Sequence, residues 1–272
     1  MKEKKSNGDD KILKQDMSQT ADRPGMVFMI HLLMEEKCEM PEKEHIHKIM
    51  CEHLGETDCF CYDGNMAGFA PQKYSVHYEK EKLNVPPQLI IMNCSEIENP
   101  IMDDVSATQL WNCPNGGEIL ETCKYQVMAT DMLAAGLDYK ERAEMLVNYV
   151  EALVNIYPSC KAVVFETSKK MLTREDILNC TLPKEMRFLH YAVNIRFFNI
   201  QGTNDMLIDS LGMSTLFLPD VQYHFHGLNP NDVVNHAYNV LSYIYDNDNP
   251  IEDGNTIAGL TDGNMNSDIK WK

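Results

Sequence analysis

The sequence predicts an α+β fold, a duplication of a β-α-β-β-β-α unit with helices packed on one face of each mixed or antiparallel sheet. Three observations carry this. Apolar runs of strand length recur at residues 26–34, 88–94 and 161–167, helical stripes with start and stop residues fall between them, and the order of elements in residues 24–123 returns in 124–272. The repeat is one of pattern, without residue-by-residue identity.

Residues 26–34 (MVFMIHLLM) form a near-continuous apolar run, which suits a central strand buried on both faces. Pro41 opens a helix in which Ile46, Ile49, Met50 and Leu54 recur at helical spacing, and Gly55 ends it. Short β-rich pieces follow at 59–62 and 73–78, parted by a DGN turn, and residues 88–94 (QLIIMNC) give another buried strand. Helical or irregular chain over 103–123 completes the first half. The second half opens with a strand at 124–130. Asp138, with Glu141 three residues on, predicts a capping box for a long helix. Ala143, Leu146, Val147, Val150, Leu153 and Val154 make its apolar stripe, and Pro158 stops it. Strands are expected at 161–167, 192–200, 206–210 and 221–226, then a helix over 230–245 capped by Asn229.

Bulk properties exclude some functions. With 44% hydrophobic and 24% charged residues in 272, the chain is an ordinary globular protein large enough for a proper core. The net charge of -17 lies in the body of the chain: residues 1–23 hold six basic and five acidic residues, so the remainder is more acidic still. An acidic surface repels phosphate backbones, so nucleic acid and anionic membranes are not expected partners. Residues 1–23 are polar and aperiodic and are expected to be a disordered tail, with halves at 24–123 and 124–272 that join as one domain or stand as two. The opening residues lack an apolar leader segment and no window reaches the length of a spanning helix, so a cytoplasmic location with reduced thiols is expected for the nine cysteines.

Several short patterns resemble a known family. TDMLAAGLDYKERAEML at 130–146, YAVNIRFF at 191–198, DSLGMSTLFLPDVQYHFHGL at 209–228 and DGNTIAGL at 253–260 are similar to the bacterial domain of unknown function 4261, over roughly residues 23–271. The resemblance implies a bacterial intracellular protein and carries no catalytic residue with it. Relatives of such small α+β domains that neutralise toxins in bacterial competition offer an analogy for a binding role.

The common motifs of chemistry are missing: the sequence has no phosphate loop, dinucleotide fingerprint, zinc-protease helix or nucleophile elbow. GMSTL at 212–216 comes nearest to an elbow and lacks its second glycine. His45, His47, Cys51, His53, Cys59 and Cys61 crowd together, yet no CxxC exists and His45 and His47 do not share a helix face, so no metal is expected. Cys59 and Cys61 would share one strand face as small buried thiols. Cys113, in LWNCPNGGE, is the least core-like cysteine. The acidic stretch 246–254 departs from the calcium-loop pattern and reads as a turn.

One constellation remains. In VQYHFHG and AVNIRFF, apolar residues alternate with Gln222, His224 and His226 and with Asn194 and Arg196. If these strands are neighbours, Asn194, Arg196, His224 and His226 form a polar patch able to bind an anion or a partner carboxylate. The preferred expectation is a non-enzymatic binding protein whose acidic surface or inter-half groove engages a protein partner, a basic one by charge. The alternative is a small-molecule enzyme or ligand sensor in which Arg196 orients an anion and a histidine exchanges protons. No cofactor is expected.

Overall fold

β1 (Met29–Met34) leads to α1 (Lys43–Leu54), which buries Ile46, Ile49, Met50 and Leu54 and ends at Gly55, where a φ of 79° favours glycine. The computed structural model describes residues 27–80, 82–252, 254–257, 259, 269 and 270, so the expected tail at 1–23 lies outside the described residues. β2 (Thr57–Tyr62) and β3 (Met66–Pro71) form a hairpin, with a bulge between Cys59 and Cys61 that breaks the alternation expected of those two thiols. β3 is missing from the sequence reading because MAGFAP is poor in strand formers. Tertiary packing makes the strand: a Cβ at Gly68 would lie 2.5 Å from the Phe60 ring, so glycine lets the aromatic lie on the neighbouring backbone.

β4 (Val76–Tyr78) pairs with β5 (Leu83–Val85) as a small ribbon before β6 (Gln88–Met92) and β7 (Ser95–Glu96). Two short helices, α2 (Asp104–Ala107) and α3 (Gly116–Thr122), precede β8 (Tyr125–Met132). α4 (Tyr139–Ile156) is capped by Asp138, which accepts from the Lys140 and Glu141 amides, one half of the expected capping box. β9 (Ala162–Phe165), β10 (Lys170–Thr173), α5 (Arg174–Leu178) and α6 (Lys184–Ala192) follow. The chain then forms β11 (Asn194–Asn199), β12 (Asp205–Leu211), β13 (Gln222–His226), α7 (Pro230–Asp246), β14 (Thr256–Ile257) and β15 (Ile269–Lys270). Asn229 caps α7 through its side chain, as expected.

The large sheet has eight strands in the order β10-β9-β1-β8-β6-β3-β2, with β7 also on β8. Its pairings are antiparallel. β1, from the first half of the chain, lies between β8 and β9 of the second, so the sheet crosses the expected boundary at 123/124. The two halves therefore do not form two equivalent sheets. An apolar strand such as β1 needs a hydrogen-bonded neighbour on each edge, and both come from the other half. A second sheet, β11-β12-β13, is built from the later residues alone.

Helices cover both faces of the large sheet, a departure from the one-sided packing expected. Ile30, Leu32 and Met34 of β1 join α1 and α4 in the main core. Leu33 of the same strand turns the other way, toward a smaller core of Met102, Cys113, Ile119, Cys123, Ala162, Val164 and Met171. Cys113 is thus a core residue, contrary to its loop-like sequence, and burial pushes its thiol up to about 11. α7 buries Val233, Ala237, Val240, Leu241 and Ile244 and packs on β12. The acidic stretch after α7 turns back on α4: Asp248 Oδ1 accepts from Tyr139 Oη at 2.6 Å. Among the described residues no helix is long and apolar enough to cross a membrane.

Candidate functional site

The three-stranded sheet carries the constellation read from the sequence. In its register Arg196 of β11 lies opposite Asp209 of β12, Asp209 opposite Gln222 of β13, and Asp205 opposite His226. Side chains on a strand alternate, so Arg196, Asp205, Asp209, His224 and His226 share one face. α7 packs against this sheet with its apolar residues, and the polar face is the outer one.

That face divides into two groups. Arg196 clasps Asp209 in a fork, Nε to Oδ1 at 2.8 Å and Nη2 to Oδ2 at 2.5 Å, with both side chains largely buried. Its guanidinium also lies 5.2 Å from the Phe198 ring centroid. The Asp209 carboxylate holds the Arg196 proton more tightly than usual. Four residues away on β12, roughly 13 Å along the strand, Asp205 accepts from His224 Nε2 at 3.1 Å and from His226 Nδ1 at 2.9 Å. The two imidazoles stand open to solvent, 61% and 66% exposed.

Asn194, two residues before Arg196 and opposite Leu211, lies at the buried end of the same face. It is 1% exposed, its Nδ2 donates to the Ser168 carbonyl at 3.3 Å, and its Oδ1 is buried without a hydrogen-bond partner. The structure thus gathers Arg196, His224 and His226 on one face, with Asn194 buried at its end. It also supplies what the sequence reading omitted, the carboxylate partners: Asp209 on Arg196, and Asp205 shared by the two histidines.

A second polar site was missed. His31, the one polar residue of the first apolar run, is 8% exposed on β1. Its Nδ1 meets Gln126 Oε1 at 2.7 Å and its Nε2 meets Glu166 Oε2 at 3.1 Å. Lys169 binds the other oxygen of Glu166. His31 and Lys169 together hold the Glu166 carboxyl below its usual range, His31 contributing most. These groups, with Ser95, Glu96 and Glu98, line a cleft of about 500 Å³. The signal was a lone histidine in a strand otherwise apolar on both faces, where a buried imidazole must find partners.

His47, Cys51 and Cys59 near α1 are engaged in local bonds. His47 Nε2 donates to the Thr57 carbonyl at 2.7 Å, and Cys59 Sγ lies 3.4 Å from the Cys61 carbonyl. Among the described residues no group of three or more His, Cys, Asp or Glu is arranged to hold a metal ion.

Residues 209–272 match the family described as Domain of unknown function (DUF4261), the family that the sequence motifs resemble. The match takes in the end of β12, β13, α7 and the residues beyond. No curated protein and no solved structure matches the chain.

Proposed function

We propose that this is a non-enzymatic binding protein, and that the outer face of the β11-β12-β13 sheet, with the acidic surface around it, holds a protein partner of basic character. The observation that carries the reading is the open position of His224 and His226 around the Asp205 carboxylate. Exposed at its histidine end and mixed in character, such a face suits docking better than the enclosure of a small substrate. Arg196 supports the same conclusion, because Asp209 already fills the fork that would orient an anionic substrate. With Arg196 neutralised and the chain at -17, the charge left to attract a partner is negative.

A second reading rests on the His31 cleft. There a concave space, a held imidazole and a carboxylate lowered by its neighbours come together, the features of a small-ligand site. Affinity capture from a lysate of the source organism, at low and high salt, with mass spectrometry of the retained proteins, separates the two. Recovery of one basic protein at low salt and its loss at high salt supports the docking face. Empty captures at both salts, with a thermal shift produced by a small molecule, support the cleft.

A further inference from the structure

Lys170, at the start of β10, is 1% exposed. Its Nζ donates to the His190 carbonyl at 2.5 Å and to the Val193 carbonyl at 2.8 Å. Both acceptors lie at the C-terminal end of α6, where carbonyls lack partners within the helix and the dipole attracts positive charge, an attraction that burial of the amine outweighs. Val193 is also the residue that leads from α6 into β11. One side chain therefore ties the edge of the large sheet to the entrance of the small one.

Among the described residues, the carboxylates on the elements around this amine are engaged elsewhere or turned to solvent, and Asp220, behind the Gly212 turn that meets Ala192, is held by Ser210 and the Met213 amide. β9 (Ala162–Phe165) carries no titratable side chain. On α5, Asp176 is engaged with Thr173 in the capping box, Arg174 donates to the Val154 carbonyl and Glu175 is exposed. On α6, Glu185 is exposed, Lys184 bonds Asn148, Arg187 bonds Glu151, and Tyr191 bonds Glu151. The His190 imidazole, pulled down by its own burial and then by Lys170, would add charge of the same sign. On β11, Arg196 is held by Asp209. In the turn before β10, Ser168 accepts from the Lys170 amide, and Lys169 is paired with Glu166. An uncharged amine has two N–H bonds, enough for the two carbonyls. An ammonium has a third N–H and a full charge to bury.

We propose that Lys170 is a protonation-sensitive latch between the two sheets: uncharged, it fastens β10 to the α6–β11 junction, and on taking up a proton it loosens that junction. The inference does not depend on what the outer face binds. Burial alone pulls the amine from 10.5 to about 7. In the opened state it regains the ordinary value, so between about 7 and 10.5 the open form binds more protons than the closed one. The latch therefore strengthens as pH rises through that window and is weakest below it.

Amide hydrogen exchange across residues 186–200, corrected for intrinsic rates and compared at about pH 6 and about pH 8.5, tests the latch. Protection at the junction is expected to fall about tenfold or more at the lower pH, while the β1–β8 pairing changes less. Lys170→Met keeps the stem and removes the amine, and its junction protection should vary little between the two conditions, any remainder belonging to His190. Equal protection at both pH values in the wild type, or wild-type pH dependence in Lys170→Met, overturns the proposal. Should that variant fail to fold, the Lys170 ¹³Cε resonance of the wild type decides. A titration midpoint near 7 supports the latch, and one near 10.5 overturns it.

Discussion

Arg142 Nη2 donates to Asp131 Oδ2 at 2.8 Å, and the two side chains are 1% and 0% exposed. The other Asp131 oxygen accepts from the Phe28 amide at 2.6 Å, and Arg142 Nη1 donates to the Thr215 carbonyl at 2.7 Å. One buried pair thus links the start of β1, β8, α4 and the turn that follows β12. Burial raises the Asp131 carboxyl despite Arg142 beside it, so its charge depends on that partner. Arg142→Met should cost about 3–5 kcal/mol, because it strands a buried carboxylate. A urea unfolding midpoint close to that of the wild type would refute this.

Gly212 was the nearest approach to a nucleophile elbow in the sequence, and its structural role is different. With a φ of 125°, a Cβ there would lie 2.2 Å from the Ala192 carbonyl oxygen. Gly212→Ala should lose about 1–3 kcal/mol to backbone strain, with the clash added. Gly202, also at positive φ (81°), has open space where a Cβ would stand, with nothing within 4 Å, so Gly202→Ala should lose less. Paired thermal melts of the two variants give the comparison.

Glu166 has a folded-state pKa below its ordinary value. A lowered carboxyl stabilises the fold above its unfolded pKa, and that contribution is lost as pH falls through the folded value. Glu166→Gln should therefore lower stability near neutrality, change little at about pH 3 and so flatten the acid limb of the stability curve. Chemical denaturation from about pH 3 to pH 7 measures this, and an unaltered acid limb would count against the His31–Glu166–Lys169 cluster as drawn.

Thiol reactivity should follow burial. Cys113 is pushed up to about 11 and Cys160 to about 12, so neither presents appreciable thiolate at neutral pH. Both should resist iodoacetamide in the folded protein and react on unfolding. Rapid native labelling of Cys113, shown by peptide mass spectrometry, would contradict its burial in the smaller core.

What was legible in the sequence was local. Asp138 and Asn229 cap the helices they were expected to cap, and the stripe from Ala143 to Val154 is buried. β3 was not legible, because Gly68 and the alanines give way only to the packing of Phe60. Nor was the sharing of one sheet by both halves, which depends on which strands become neighbours of β1. The alternation that selected Arg196, His224 and His226 placed them on one face. Their carboxylate partners were hidden, since these depend on the register that sets Asp209 opposite Arg196 and Asp205 opposite His226.

The docking face is tested most directly by repeating the low-salt capture with wild type and with Asp205→Asn/His224→Ala/His226→Ala, after circular dichroism has shown that the variant keeps its fold. The expected result is one basic protein retained by the wild type and lost by the variant. Equal retention by both would contradict a docking site on the outer face of the β11-β12-β13 sheet.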